Sequence, residues 1–313
     1  MNIQTIGARQ IADNLPYDQL IDALSEAFRV GVTVPDRTVH TIGTDDGHGG
    51  TLLLMPAWQT GAGMGVKIAT VFPGNVSKGL GAVQASYILM DGATGLPRAV
   101  LDGAELTLRR TACASALASR FLSRENSRTL LMVGAGHLAP HLIAAHATVR
   151  ELDQVMIWAR RKEAAHQLAA AILPNRQEII VVTDLEAAVR QADIVSCATL
   201  ATEPLIHGAW LSGGQHLDLV GAFTPTMREA DSEAMRRARV FVDTYAGALA
   251  ESGEIIQAIR EGFLSSTDIV ADLAELVKGE VTGRDNDGDI TLFKSVGTAL
   301  EDLAAAELVL GNS

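Results

Sequence analysis

The segment Thr129-Leu-Leu-Met-Val-Gly-Ala-Gly-His-Leu-Ala139 carries a strand–turn–helix pattern that few folds share. An apolar run breaks into Gly134-x-Gly136-x-x-Ala139, and a helix-periodic stretch continues over residues 137–149. In this pattern the first glycine permits a tight turn and the second lets backbone N–H groups approach a pyrophosphate. A small third residue lets the helix pack on its strand. The anion then lies at a helix N-terminus, where unpaired N–H groups and the helix dipole favour negative charge. Gln154-Val-Met-Ile-Trp158 is a second apolar run, so the region predicts a complete βαβ unit of a doubly wound sheet. Gly134, Ala135, Gly136, His137 and Leu138 are its candidate dinucleotide contacts.

The end of the second strand bears on which dinucleotide is bound. An NAD site commonly carries an acidic residue there, about 20 residues beyond the turn, to bond the ribose 2′-hydroxyl. This chain has Trp158-Ala-Arg160-Arg161-Lys162 instead. A carboxylate repels a 2′-phosphate, whereas guanidinium groups bind it with charge-assisted bonds. Arg160 and Arg161 therefore predict a preference for NADP(H), with NAD(H) possible; the alternative is a solvated helix start.

The 313 residues are 48% hydrophobic and 20% charged, which is enough for two domains each with its own core. A net charge of −12 argues against binding nucleic acid or an anionic membrane surface. The expected partner is a small molecule. The N-terminus lacks a basic region followed by an apolar one, and no apolar run reaches the length of a membrane span, so the expected location is cytoplasmic. Cys113 and Cys197 stand alone, without the spacing of a disulfide framework or a zinc site.

An amphipathic helix is predicted over 16–30, with Leu20, Leu24, Ala27 and Phe28 on one face. Short strand-like runs follow at 51–57, 65–71, 84–90 and 96–101, separated by glycine-rich turns, and a helix rich in Ala, Leu and Arg covers 105–122. The domain boundary is expected near residue 120. Beyond Trp158, strands at 179–182, 194–198, 217–220 and 240–243 alternate with helices, predicting a six-stranded, mostly parallel sheet. The segment 290–297 does not extend that alternation and reads as a return to the first domain.

Within the strand-like run Met64-Gly-Val-Lys67-Ile-Ala, Lys67 is an isolated cation. A lysine whose pKa is lowered by burial can transfer a proton at neutral pH, and a charged one can hold a carboxylate. Arg109-Arg110 lies early in the small-residue helix, where one guanidinium could grip a carboxylate in a bidentate manner. Arg37 is a lone arginine in a loop. His137 and His141 have the spacing of two metal ligands, but no Glu lies between them as the zinc motif requires; the acidic run Asp285-Asn-Asp-Gly-Asp289 fails the calcium-loop register. No metal site is expected. No Gly-x-Ser-x-Gly elbow or Walker-type loop is present either.

Taken together, Lys67, Phe72-Pro-Gly-Asn75, Asp91-Gly-Ala-Thr-Gly-Leu-Pro97, Leu106-Thr-Leu-Arg-Arg-Thr-Ala112, Val133-Gly-Ala-Gly136, Gly221-Ala-Phe-Thr-Pro225 and Thr291-Leu-Phe-Lys-Ser-Val-Gly297 form an ordered set. With them the chain resembles the ornithine cyclodeaminase/mu-crystallin family throughout its length. The resemblance implies an α/β homodimer. A Rossmann doubly wound sheet (121–291) is inserted in an α+β substrate and dimerisation domain (1–120 plus 292–313). It assigns Arg37, Lys67 and Arg110 to the substrate carboxylate and imine side, with Lys67 and Arg110 catalytic. Thr111, Gly134, Ala135, Gly136, the Ser196-Cys-Ala198-Thr199 loop, Ala222 and Val296 are assigned to the cofactor.

Ornithine cyclodeaminases carry an Asp where this chain has Phe223, and a phenyl ring can neither accept a proton nor hydrogen-bond an ammonium. The segment His216-Leu-Asp-Leu-Val-Gly-Ala-Phe-Thr-Pro-Thr-Met-Arg-Glu229 is instead similar to members that reduce cyclic ketimines. The resemblance thus implies NAD(P)H-dependent reduction of Δ1-pyrroline-2-carboxylate to L-proline, and of Δ1-piperideine-2-carboxylate to L-pipecolate. Phe223 then lies in the substrate site, and Asp218 polarises a water or makes a structural bond to backbone. An alanine or N-alkyl-amino-acid dehydrogenase, an ornithine cyclodeaminase and a non-enzymatic NADPH-dependent binding protein of mu-crystallin type are the alternatives.

Overall fold

A computed structural model describes residues 3–44, 47, 49–172 and 177–312. The chain divides into two compact units, Met1–Thr111 with Thr298–Ser313, and Ala112–Gly297.

The first unit is built on a six-stranded sheet. Its strands are β1 (Gln4–Ile6), β2 (Thr38–Ile42), β3 (Gly50–Trp58), β4 (Gly63–Val71), β5 (Val83–Asp91) and β6 (Pro97–Asp102), in the order β1-β6-β5-β4-β3-β2. β1 runs parallel to β6 and the other pairs are antiparallel. β3 to β6 correspond to the four runs expected from sequence. β1 and β2 were not expected: β1 has three residues, and β2 is exposed along nearly its whole length, so no apolar alternation marks it. The helix Tyr17–Val30 buries Leu20, Ile21, Leu24 and Phe28, and the C-terminal helix Ala299–Gly311 packs on it and on β3 and β4. β4 alternates as a half-buried strand does. Gly63, Gly65, Lys67 and Ala69 are buried, while Met64, Val66 and Ile68 on the other face are half-buried.

The second unit holds an eight-stranded sheet formed by β7 (Thr129–Val133), β8 (Gln154–Trp158), β9 (Glu178–Val181), β10 (Ile194–Cys197), β11 (His216–Leu219), β12 (Arg239–Val242), β13 (Ile269–Asp272) and β14 (Thr291–Lys294). Their order is β13-β12-β14-β11-β10-β7-β8-β9, and every pair is parallel. β10, β11 and β14 are buried at every residue, the mark of a parallel sheet covered on both faces. That burial explains why β10, Ile-Val-Ser-Cys, shows no polar–apolar alternation.

Three expectations are corrected. The sheet has eight strands, not six, because the four-residue β13 and β14 extend it. Residues 291–294 do not leave this sheet; β14 inserts between β11 and β12, and the chain returns to the first unit only at Thr298. The first crossing lies at 111/112 rather than near 120. The helix Gly103–Leu122 spans that point, and its end belongs to the second unit: the Leu122 carbonyl accepts bonds from Arg284 Nε (2.6 Å) and Thr291 Oγ1 (2.7 Å). Among the described residues no helix is long and apolar enough to cross a membrane.

Candidate active site

In the second unit, a cleft of about 360 Å³ opens at the carboxyl ends of β7, β8 and β10. β7 and β10 are the adjacent strands at which the strand order reverses, the position where doubly wound sheets bind ligands. Gly134, Ala135 and Gly136 line it after β7, Arg160 and Arg161 after β8, and Ala198 and Thr199 after β10. Gly134 takes φ +116°, and a Cβ there would lie 2.5 Å from the Ala198 carbonyl oxygen, so the turn requires glycine.

The helix after the turn begins at Ala139, two residues later than expected, because His137 and Leu138 continue the turn. As a result, the N–H groups of Ala135, Gly136, His137 and Leu138 donate to no other group among the described residues. Four successive open donors ahead of a helix N-terminus fit the pyrophosphate of a dinucleotide. No carboxylate stands among the four residues after Trp158, the last residue of β8, or among those lining the cleft. Arg160 and Arg161 are exposed on the cleft and have no ion-pair partner among the described residues.

Other expected cofactor residues are placed differently. Ala222 is buried after β11, and Val296 follows β14 with its N–H donated to the buried Asp243 carboxylate at 2.8 Å. Thr111, half-buried, is the last residue of the first unit's opening segment. Trp158, Leu200 and Leu205 also line the cleft and were missed, because nothing local separates them from core or loop residues. Phe223 is 46% exposed. Asp218 makes neither a backbone bond nor a solvent contact. It is fully buried, its Oδ2 accepting from Ser196 Oγ at 2.6 Å with His146 Nε2 at 3.3 Å, so it ties β10, β11 and the helix that carries His146 together.

In the first unit, Lys67 and Arg110 meet. Lys67 Nζ sits astride the Asp302 carboxylate, 3.0 Å from Oδ1 and 2.7 Å from Oδ2. Arg110 donates through Nε to Asp302 Oδ1 (3.0 Å) and through Nη1 to Glu301 Oε2 (2.6 Å). All four side chains are buried. Burial, and then the neighbouring Arg110 charge, lower Lys67 to about 8 against the opposing pull of Asp302 and Glu301. Burial opposes the charge on Arg110 too, but the two carboxylates more than offset it and its pKa is raised.

Arg109, the neighbour that sequence could not separate from Arg110, points elsewhere. It bonds Glu105 Oε1 (2.6 Å) and the Leu15 carbonyl (3.0 Å) and lies over the Tyr17 ring. Arg37 is half-buried just ahead of β2, which β3 separates from the Lys67 strand. Glu301 and Asp302 were missed. In sequence they read as the usual acids of a helix first turn, next to the capping Thr298.

The matches to known proteins agree with this geometry. The profile of the ornithine cyclodeaminase/mu-crystallin family matches residues 5–313. A Δ1-pyrroline-2-carboxylate reductase from Colwellia psychrerythraea is 38% identical over 312 residues, covering 98% of both chains. Among solved structures, the Thermococcus litoralis Δ1-pyrroline-2-carboxylate reductase in complex with NADH and L-proline superposes with a TM-score of 0.93 at 33% identity, over 99% of this chain and 97% of that one. An archaeal alanine dehydrogenase dimer with bound NAD gives 0.91 at 29% identity, over 100% and 96%. The full-length profile match and these relatives show that the chain belongs to the ornithine cyclodeaminase/mu-crystallin family.

Proposed function

We propose that the chain is an NAD(P)H-dependent reductase of cyclic imino acids, converting Δ1-pyrroline-2-carboxylate to L-proline and Δ1-piperideine-2-carboxylate to L-pipecolate. The observation that carries this reading is near-full-length similarity to reductases of that name, one of them solved with NADH and L-proline. A dinucleotide held by Gly134, Ala135, Gly136, Arg160, Arg161 and Thr199 would supply the hydride for reduction of the imine.

The chain's own residues bind the substrate and manage its proton. Arg110 and Lys67, with Arg37, take the substrate carboxylate through charge-assisted bonds. Lys67, Arg110, Glu301 and Asp302 form an electrically neutral group of two cations and two carboxylates. A protonated cyclic imino acid is itself a zwitterion, so it binds there without leaving an unbalanced buried charge. Its carboxylate faces the cations and its ring N–H⁺ faces the acids. Lys67, lowered to about 8, holds a proton at pH 7 that it can share with the ring nitrogen. Keeping that nitrogen protonated makes the neighbouring carbon electrophilic. Phe223 supplies no base where cyclodeaminases carry an Asp, which argues against cyclodeamination.

Arg160 and Arg161, without ion pairs among the described residues, favour NADPH through the 2′-phosphate, with NADH still accepted. The same reading makes the protein a cytoplasmic homodimer. In its support, Leu54, Val66, Ile68, Ile88 and Val100 leave a half-buried apolar patch on one face of the first sheet.

The test is loss of dihydronicotinamide absorbance with NADPH and then NADH, offering both cyclic imines, pyruvate with methylamine, and a parallel assay of ornithine conversion to proline. Turnover of the cyclic imines alone is expected. Turnover confined to pyruvate with methylamine would make the chain an open-imine dehydrogenase. Ornithine turnover would overturn the reading of Phe223, and binding without turnover would make it a ligand-binding protein.

A further inference from the structure

The loops that follow β10 and β11 meet at backbone level. A Cβ on Gly221 would lie 2.1 Å from the Thr199 carbonyl oxygen and 2.4 Å from the Thr199 nitrogen. Against them lies Glu229, fully buried. Its Oε1 accepts from the Thr199 N–H at 2.6 Å and the Thr199 hydroxyl at 2.8 Å, and its Oε2 accepts from the Gly221 N–H at 2.7 Å. Two further buried charges back it. The Glu229 N–H donates to Glu254 Oε1 at 2.8 Å, and Lys294 Nζ lies 3.4 Å from Glu254 Oε2. The reduction described above uses none of these three residues.

Three donors from two loops converge on two oxygens, and only a carboxylate accepts through both. Burying a carboxylate is costly unless it is hydrogen-bonded and near an opposite charge, and both conditions are met here. Burial raises the Glu229 carboxyl above its usual range and Glu254 adds to this, while Lys294 and the Thr199 bonds favour the ionised form.

We propose that Glu229 is a positioning residue for dinucleotide binding, holding the Thr199 and Gly221 loops together so that Thr199 presents its face to the cleft. This rests on the NAD(P)H reading above. Lys294, an isolated lysine in an apolar strand as Lys67 is, supports Glu229 through Glu254 and takes no part in the chemistry.

The decisive variant is Glu229→Gln. The amide keeps the shape, but one of its two ends is a donor, so it must release either Thr199 or Gly221. NADPH affinity is read by fluorescence titration of the full-length protein, together with KM and kcat. A charged hydrogen bond of this kind is worth roughly a tenfold or greater change in affinity. The expected result is a Kd and KM for NADPH raised tenfold or more, with kcat at saturating cofactor within about threefold of wild type. In the cofactor-free variant, amide hydrogen exchange should rise in peptides covering 198–202 and 220–224.

Glu229→Asp keeps both acceptors on a shorter stem and should fall between the two proteins; should the Gln variant not fold, a raised Kd in the Asp variant carries the test. Asp218→Asn is the control, since Asp218 is equally buried but bonds His146 and Ser196, which the structure places within β10 rather than in the loop assigned from sequence. It should lower stability and leave the Kd unchanged. A wild-type-like Kd for Glu229→Gln, an equal loss in Asp218→Asn, or unchanged exchange in the two loops overturns the proposal. If wild type itself binds neither dinucleotide, the NAD(P)H reading falls and this proposal with it. If wild type binds and Glu229→Gln binds equally well, only the proposal falls.

Discussion

Replacing Asp302 by Asn tests whether the buried lysine is the proton-holding group. With Lys67 at about 8, the gap of one unit leaves it about nine-tenths protonated at pH 7. Asp302 lies against its ammonium at 3.0 and 2.7 Å, and an opposite charge at such range typically holds a pKa by about 1–3 units. Asn keeps the volume and removes the charge, so Lys67 should fall to between about 5 and 7. At pH 7 the protonated fraction then drops to between about one half and one hundredth, and kcat/KM falls by about twofold to a hundredfold from this cause alone.

The assay is kcat/KM for Δ1-piperideine-2-carboxylate with NADPH across the pH range, in wild type and Asp302→Asn. The substrate's own titration is common to both proteins, so the displacement between the two profiles is what counts. The alkaline limb should move to lower pH by the same 1–3 units or so. An unmoved limb would show that Lys67 does not hold the proton that matters. Stability gives a second reading: stripping a buried pair of one partner costs on the order of 3–5 kcal/mol, less where Lys67 can discharge by losing its proton.

Three further outcomes are expected. The double variant Arg160→Ala with Arg161→Ala should raise the KM for NADPH about tenfold or more and leave that for NADH nearly unchanged, because exposed charges contribute modestly and only the 2′-phosphate meets them; equal losses would refute the assignment. Folded Lys67, at about 8, lies below its ordinary 10.5, so between these values the unfolded chain binds the extra proton and stability rises with pH. That contribution, about 3 kcal/mol, is absent below pH 8 and should be missing from the pH dependence of urea unfolding in Lys67→Met; identical slopes in the two proteins would contradict it. Ile68→Asp, on the half-buried face of β4, should shift the protein from dimer to monomer in analytical ultracentrifugation with little change in far-UV circular dichroism. A variant that stays dimeric would place the interface elsewhere.

The parts legible before folding are those whose physics is local. The Gly134-x-Gly136 turn, the runs that became β7 and β8, and the absence of an acid in the four residues after Trp158 could all be read directly, because turn geometry and strand burial are encoded within a few residues. Lys67 was legible for a related reason: one cation in an apolar strand demands an account wherever the chain folds. Lys294 carried the same signal unread, as part of a motif.

The remaining features depend on residues distant in the chain. Lys67 and Asp302 are 235 residues apart, and nothing near either shows that a returning helix supplies the counter-charge. The choice of Arg110 over Arg109 turns on which face of one helix meets that returning segment. β14 could not be assigned from its own four residues, since its partners β11 and β12 lie dozens of residues upstream and its Thr and Lys hide its burial. Glu229 is the clearest case. Its neighbours in sequence suggest a surface turn, yet folding brings three donors from two loops onto its carboxylate, and long-range convergence of that kind has no local periodicity or composition to announce it.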